Sequence, residues 1–364
     1  MRDCKQQPDD PESFVFSWLQ SRMGKGSGYI RSKLASAFDQ ALVSGEMDNA
    51  IAVVSEGDAT SPTKLEVDMA SDAVLVALGC KTEEPVSALE LATTRSNISI
   101  DAQLKDPGFD CLSRRNPQAD AGLVVKAFAQ PYDLVEKFQI KEEILETFAM
   151  DVALKSPQNP FHNWSRAMDV LQFCHLSLAS GIGALLTFSD ILSLLSSAIA
   201  ISLGHPGTTN AFLVDISGEI AMRYNDRFPV QNCCAHSFFE LLQQPAMNYT
   251  NNMPKIEFKA FRWKVIQLVL STDMSQHFPL VDKFSSYMSS RDSKSRSDST
   301  EDRLLLSQVV SHTSSLAYSC RPWNVHKLLV QALEEEFFSQ GELEKAAGLP
   351  VSPLMDSSKD SLAA

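Results

Sequence analysis

Two short stretches carry the side chains best suited to chemistry. Residues 162–166 read HNWSR and residues 205–210 read HPGTTN, so each stretch begins with a histidine. An imidazole can transfer a proton near neutral pH or bind a metal ion. The residues shortly before the second histidine, Ile201 and Ser202, add little to a metal site, because isoleucine has no donor atom and neutral serine binds divalent cations weakly. Both histidines can also serve packing and hydrogen bonding alone.

Other polar groups are weaker candidates. Asp273 stands alone in STDM, where a single carboxylate usually caps a helix. Cys233 and Cys234 are adjacent and could bind a metal, but none of the seven cysteines forms a C-x-x-C pair. This cysteine usage predicts reduced thiols and no disulfide framework.

Composition bounds the class of protein. The chain has 364 residues, of which 44% are hydrophobic, enough for one large core or two modest ones. Its net charge of -13 and the lack of a Lys/Arg stripe exclude nucleic acid as an expected partner. The polar N-terminus has no apolar stretch typical of a secretory signal, so we expect a cytoplasmic protein.

Hydrophobic periodicity predicts an almost entirely helical chain after residue 125. Apolar residues recur at three- and four-residue spacing, which predicts one helical stripe in each of two segments. The stripes consist of Leu134, Phe138, Leu145, Phe148 and Val152, and of Val325, Leu328, Leu329, Ala332, Leu333 and Phe337. The apolar run 176–203 is interrupted by Gly181, Gly183 and the N-cap sequence TFSD. We predict two buried helices there, not a membrane span.

Two regions lack this periodicity. Residues 1–110 are rich in loop-forming residues, which predicts an N-terminal region of unknown fold that is partly disordered. Residues 289–302 read SSRDSKSRSDSTED, which predicts a flexible, solvated loop. That loop could accept phosphate groups or be an inert surface feature, and both interpretations stay open.

Five sequence blocks occur in the order found in class I 3′,5′-cyclic nucleotide phosphodiesterases, and the chain resembles that family. The blocks are NPFHNWSRAMDVLQ (159–172), HPGTTNAFLV (205–214), EIAMRYND (219–226), LVLSTDMSQHF (268–278) and the segment from RPWNV to PLMD (321–356). The resemblance covers about residues 125–356. It implies a compact, all-α, HD-type catalytic domain, which we place at residues 111–364. Members of the family hydrolyse the cyclic phosphate of cAMP or cGMP.

The family uses a two-metal site with zinc and magnesium, and the resemblance implies that all four protein ligands are replaced here. In the first motif, H-N-x-x-H, His162 matches the general acid while Arg166 replaces the histidine ligand. In the second motif, H-D-x-x-H-P-G-x-x-N, Ile201 and Ser202 replace the two ligands. Ser315 stands where the last motif has its aspartate. We therefore expect no metal cofactor.

Loss of the metals predicts loss of hydrolysis. A bound metal lowers the pKa of water from 15.7 to about 7. At about 1.36 kcal/mol per pKa unit, this change makes deprotonation of the water more favourable by on the order of 10 kcal/mol. A remnant acid at His162, worth roughly 10²- to 10⁴-fold, cannot replace that effect. We expect weak nucleotide binding at best, because Tyr318 replaces a base-contacting asparagine and the chain ends at Ala364, before the family's purine-binding glutamine.

The leading hypothesis is a degenerate phosphodiesterase domain that acts as a regulatory or binding module, for example by pairing with an active phosphodiesterase or another signalling protein. Two alternatives stay open. One is an active phosphodiesterase whose metals are held by other residues. The other is a truncated chain with no role of its own. No membrane partner is expected.

Arg166 itself has two interpretations. Asp169 lies three residues further along the predicted helix, so the two side chains can form an internal ion pair that fills the vacated site. Alternatively, Arg166 joins His162 and His205 to bind a phosphate group, near the position that the resemblance gives to Asp273.

Overall fold

Helices account for all the regular secondary structure in the computed structural model of the protein, which describes residues 100–114, 116–289 and 299–360. The α-helices are α1 (Ile100–Lys105), α2 (Pro117–Ala129), α3 (Leu134–Lys137), α4 (Glu142–Lys155), α5 (Trp164–Ala179), α6 (Phe188–Ala200), α7 (Asn210–Asp215), α8 (Glu219–Arg223), α9 (Pro229–Leu242), α10 (Lys255–Leu270), α11 (His277–Ser289), α12 (Thr300–Ser315) and α13 (Trp323–Ala346). Short 3₁₀ helices occupy Cys111–Ser113, Ile182–Leu185, Met274–Gln276 and Ala317–Cys320. The predicted all-α fold is confirmed.

The core is built around α5, which is buried on nearly all sides. It packs against α1, α2, α6 and α12. Buried side chains such as Met168, Phe173 and Cys174 lie on different faces of this helix. A helix surrounded by other elements needs apolar side chains around its whole circumference, and this one also buries the polar residues of the candidate site.

The apolar run 176–203 forms parts of two helices, as predicted. It begins in the last turn of α5 and continues through a 3₁₀ turn into α6. The break is fixed by a capping box: the Thr187 hydroxyl accepts from the backbone N–H of Asp190, and the Asp190 carboxylate accepts from the N–H of Thr187. Among the described residues, no helix is long and apolar enough to cross a bilayer.

The segment that carries the first predicted stripe, from Leu134 to Val152, is not a single helix. The prediction of one continuous helical stripe there is wrong. The segment divides into α3 and α4, and Gln139 between them has a φ of 50°, a left-handed conformation that ends a helix. Leu134 and Leu145 are nevertheless both buried in the same core. Apolar spacing thus identified the buried face but not the break.

The second predicted stripe lies on α13, but only part of it is buried. Val325 and Leu329 are buried, whereas Leu328 is 53% exposed. Further along the helix the buried face consists of polar side chains, among them Glu336 and Gln340. These residues continue the same face at helical spacing, and each is hydrogen-bonded to a neighbouring loop, so a search for apolar residues missed them.

Gly341 allows the segment after α13 to lie directly on the helix. A Cβ atom at Gly341 would lie 1.9 Å from the carbonyl oxygen of Met355. The Ser352 hydroxyl and backbone N–H also donate to the Glu344 carboxylate, at 2.7 Å each.

We expect Gly341→Ala to destabilise the protein by about 1–3 kcal/mol, because a backbone atom must move to make room. In an open helical position the same substitution would stabilise by about 1 kcal/mol. Urea denaturation of the full chain measures the difference. Ser339→Ala, at an exposed position of the same helix, should change stability by less than about 0.5 kcal/mol. A stabilised Gly341→Ala protein would contradict the close packing.

The Ser-rich region and the domain limits differ in part from the predictions. Thr300 to Asp302 form the first turn of α12, capped by the Ser299 hydroxyl, and so do not belong to a flexible loop. The structural prediction for the rest of that loop, and for residues 1–99, lies outside the described residues. Leu104 is fully buried in the helical domain, so packing begins before residue 111.

Candidate functional site

A histidine and a glutamate from distant parts of the chain form the best-defined polar pair of the site. His162 precedes α5, and its Nδ1 lies 2.5 Å from Oε1 of Glu336 on α13. Oε2 of Glu336 accepts from the backbone N–H groups of Phe161 and His162, at 3.1 and 3.0 Å. Burial alone would raise the pKa of Glu336, but these hydrogen bonds hold it below its usual value. The ionised carboxylate therefore orients His162 with Nδ1 as the donor.

His205 lies flat against His162. The two rings are 3.8 Å apart and within 7° of parallel. The backbone N–H of Gly207 donates to Nδ1 of His205 over 3.0 Å, so the proton of the neutral ring sits on Nε2. Burial and the neighbouring His162 both lower the pKa of His205 well below its usual range. His205 is therefore a neutral hydrogen-bond donor through Nε2.

Asn159 joins the two histidine segments. Its amide donates to the carbonyl oxygen of His205 over 2.9 Å and to that of His162 over 3.2 Å. Gly207 has a φ of 76°, and a Cβ atom there would lie 2.9 Å from the Asn159 side chain. The glycine of HPG is thus required both by its backbone conformation and by this contact.

Arg166 faces into the protein and forms the predicted ion pair. Its guanidinium lies 2.6 Å from Oδ2 of Asp169 and also donates to the carbonyl oxygen of Ser315. The rings of Phe161 and Tyr318 lie 5.1 and 5.3 Å from the guanidinium carbon, close enough for cation–π contact. The side chain is only 3% exposed. These contacts occupy Arg166 and do not support its use as a phosphate-binding group.

Sequence reasoning missed the second cation of this cluster. Arg321, which follows the 3₁₀ helix before α13, contacts Oδ1 of Asp169 at 2.7 Å. It also donates to Gln172 and to the backbone oxygen of Asp169. Asp169 is fully buried between two arginines. No local pattern could reveal this pairing, because 152 residues separate the two partners.

Asp273 serves a neighbouring hydrogen-bond network. One carboxylate oxygen caps the 3₁₀ helix that follows, and the other accepts from the amide of Asn210 over 2.6 Å. The Asn210 side-chain oxygen in turn accepts from the N–H of Val230 at the start of α9. The Thr209 hydroxyl caps α7. Asp273 thus lies beside the HPGTTN block, held by contacts that stabilise the fold.

The vicinal cysteines lie near the same loop. Cys233 donates weakly to the carbonyl oxygen of Gly204 over 3.4 Å, while Cys234 is buried in the core. Burial raises the pKa of both thiols. Protonated thiols are poor metal ligands, so their environment favours a packing role.

Comparison with known proteins identifies the family. The sequence profile of 3′5′-cyclic nucleotide phosphodiesterases matches residues 161–364. The chain belongs to this family. It is 35% identical over 246 residues to a dual specificity calcium/calmodulin-dependent 3′,5′-cyclic nucleotide phosphodiesterase 1 of Drosophila melanogaster, covering 66% of this chain and 29% of that protein. It is 34% identical to the 1B protein of Bos taurus, covering 68% of this chain and 46% of that protein.

Solved structures agree with this assignment. The crystal structure of the phosphodiesterase domain of the RhoPDE fusion protein from Salpingoeca rosetta has a TM-score of 0.65 and 30% identity, and the match covers 72% of this chain and 81% of that chain. The chain spans less than half the length of the two curated relatives above.

The positions that the resemblance assigns to metal ligands hold a cation and three neutral side chains. Ile201 packs against the core and Ser202 is fully buried, its hydroxyl without a hydrogen-bond partner among the described residues. The Ser315 hydroxyl donates to the carbonyl oxygen of His312 over 2.7 Å. Together with Arg166, these residues bring no carboxylate or imidazole to the position.

A different group of side chains in the chain has metal-ligand chemistry. One donor atom each from His162, His205 and Glu336 lies within 4.8 Å of the other two. Glu336 was missed by the sequence analysis. A signal existed, because Glu336 follows the buried Leu329 by seven residues, two turns along the same face of α13.

Proposed function

We propose that this chain is a phosphodiesterase domain that has lost hydrolysis of cyclic nucleotides and acts as a regulatory or binding module in cytoplasmic cyclic-nucleotide signalling. The observation that carries the proposal is Arg166. Its guanidinium lies at the position that the resemblance assigns to a metal ligand, and it is buried and paired with Asp169. A fixed positive charge that has no lone pair excludes a divalent cation from the same place.

The rest of the donor set supports the same conclusion, since it does not fit zinc or magnesium. Among the described residues, Asp169 is the carboxylate paired with Arg166, and both of its oxygens are already taken by arginines. Ser202 offers a single neutral hydroxyl. Magnesium prefers carboxylate and water oxygens, and zinc prefers thiolate, imidazole and carboxylate.

A second candidate function is an active phosphodiesterase with a metal held by His162, His205 and Glu336. The closeness of their donor atoms favours it. The hydrogen bonds of His205 and Glu336 weigh against it. Gly207 occupies Nδ1 of His205, which leaves a proton on Nε2, and Glu336 accepts from two backbone N–H groups and from His162. Two atoms then still have a lone pair to offer a metal, Nε2 of His162 and one carboxylate oxygen of Glu336. Catalytic zinc typically has three protein ligands.

What remains at the site is a pair of oriented imidazoles. Glu336 fixes the ring of His162, and the Gly207 N–H fixes the ring of His205. Both Nε2 atoms can hydrogen-bond a polar ligand, and His162 can transfer a proton. Without an activated water there is no nucleophile for a cyclic phosphodiester, so these groups support binding rather than turnover.

Hydrolysis assays on the purified full chain test the proposal. We expect no turnover of cAMP or cGMP above the rate in buffer, with or without added Zn²⁺ and Mg²⁺, and no difference between the parent protein and His205→Ala. Turnover that a chelator and His205→Ala both abolish would instead establish the second candidate. His236→Ala, at an exposed histidine, controls for metal bound at the surface.

A further inference from the structure

The outer face of α10 carries two parallel exposed stripes. One is apolar and the other is basic, and within each stripe the residues are spaced four and then three apart, so that each stripe runs along one side of the helix. We call this surface the α10 face. It consists of the apolar residues Ile256, Ala260 and Trp263 and the basic residues Lys255, Lys259 and Arg262.

The apolar stripe is not part of the core. The buried side of α10 is formed by Phe261, Val265 and Leu268, and the helix packs against α6, α9 and α12. Ile256 is 75% exposed and Trp263 is 48% exposed. Scattered exposed apolar residues are common in proteins, but an aligned aliphatic and indole pair forms a continuous patch.

The shape of the α10 face suits another helix. Ile256 and Trp263 are seven positions apart and so lie roughly 10 Å from each other along the axis. Ala260 lies between these two large side chains and leaves a depression that one side chain of a facing helix can fill. The four-then-three spacing of the stripe is also the spacing at which paired helices meet.

The charges of the α10 face select an acidic partner. Lys255 and Lys259 are exposed, and the guanidinium of Arg262 lies 4.5 Å from the ring centre of Phe239, which holds it beside the stripe. The adjacent Lys264 is directed away from this stripe, because its ammonium group is paired with Asp190 at 2.5 Å. The sequence analysis found no Lys/Arg stripe, because this one becomes apparent only in the helical register.

A protein partner fits better than an anionic membrane. The chain as a whole carries a net charge of -13, which repels an extended anionic surface. A helix touches only the local stripe, and charges more than about 8 Å away are largely screened at physiological salt.

We propose that the α10 face binds an amphipathic helix of a partner protein whose apolar stripe is edged by acidic side chains. This inference does not depend on whether the candidate site hydrolyses nucleotide. Aromatic and aliphatic side chains anchor the helix, and the lysines set its orientation and register. The contact is small, so the binding should be weak and salt-dependent.

Fluorescence anisotropy with the full chain tests this. The probe is a labelled helical peptide of three heptads with leucine at a and d and glutamate at e and g. We expect a Kd on the order of 10 µM at low salt, and at least about tenfold weaker binding for the same peptide with lysine at e and g. Lys255→Glu with Lys259→Glu, and separately Ile256→Ala with Trp263→Ala, should each weaken binding at least about tenfold.

Lys327→Glu with Leu328→Ala changes an exposed lysine and an exposed leucine on α13 and should leave the Kd unchanged. The substituted side chains of the α10 face are exposed, so circular dichroism should show folded variants. The proposal is overturned if the glutamate peptide does not bind saturably, or if it binds the variants equally well. It is also overturned if phosphatidylserine vesicles or a second copy of the chain bind the α10 face and the peptide does not.

Discussion

Asp169→Asn is expected to lower the free energy of unfolding by about 3–5 kcal/mol, because it leaves two buried arginines without their counter-ion. The carboxylate is fully buried, and its oxygens lie 2.6 Å from Arg166 and 2.7 Å from Arg321. An asparagine has a single acceptor oxygen, and its amide N–H groups would face the N–H groups of one guanidinium. Denaturant unfolding of the full chain measures the loss.

Two further variants test whether this buried charge cluster contributes more to stability than an exposed ion pair does. Arg166→Met should cost less than Asp169→Asn, because it leaves Asp169 paired with Arg321 and fills the space with an apolar chain. Glu219→Gln removes an exposed pair with Arg223 and should cost less than about 1 kcal/mol. If Asp169→Asn costs no more than Glu219→Gln, the cluster does not hold the site together as described.

Restoring the ligands that the resemblance implies were replaced should create a metal site at a place where we propose that the parent protein binds no metal. The variant combines Arg166→His, Ile201→His, Ser202→Asp and Ser315→Asp. It removes the buried cation and adds two imidazoles and two carboxylates, a donor set that suits zinc. We expect Zn²⁺ binding by isothermal titration calorimetry with a Kd below about 1 µM, and a rise in Tm with Zn²⁺ because the ion binds the folded state.

The control for this variant keeps Arg166 and carries the other three substitutions. It should fold and bind Zn²⁺ far more weakly, because the guanidinium still occupies the position and repels the ion. Equal zinc affinity with and without Arg166→His would mean that the arginine is not what excludes the metal. Circular dichroism of both variants shows that the comparison is between folded proteins.

Local chemistry in the sequence predicted several parts of the fold and the site. The break before α6 followed from the Thr187 N-cap with Asp190 three residues later. The Arg166–Asp169 pair followed from three-residue spacing on a helix. In each case the partners lie within one helical turn, so the spacing along the chain determines the spacing in space.

Contacts between distant segments could not be predicted in this way. Arg321 reaches Asp169 across 152 residues, and Glu336 reaches the His162 ring across 174 residues. Both depend on how α13 and the preceding 3₁₀ helix lie against α5. The division between α3 and α4 was also missed, because Gln139 adopts a left-handed conformation that glycine would have indicated.

The metal content of the purified full chain tests the central claim most directly. After incubation with Zn²⁺ and Mg²⁺ and removal of free ions, elemental analysis should find well below one ion per chain, and a chelator should leave the Tm unchanged. One or more tightly held ions per chain, whose removal lowers the Tm, would contradict the account, and loss of that metal in His205→Ala would place it at the two stacked histidines.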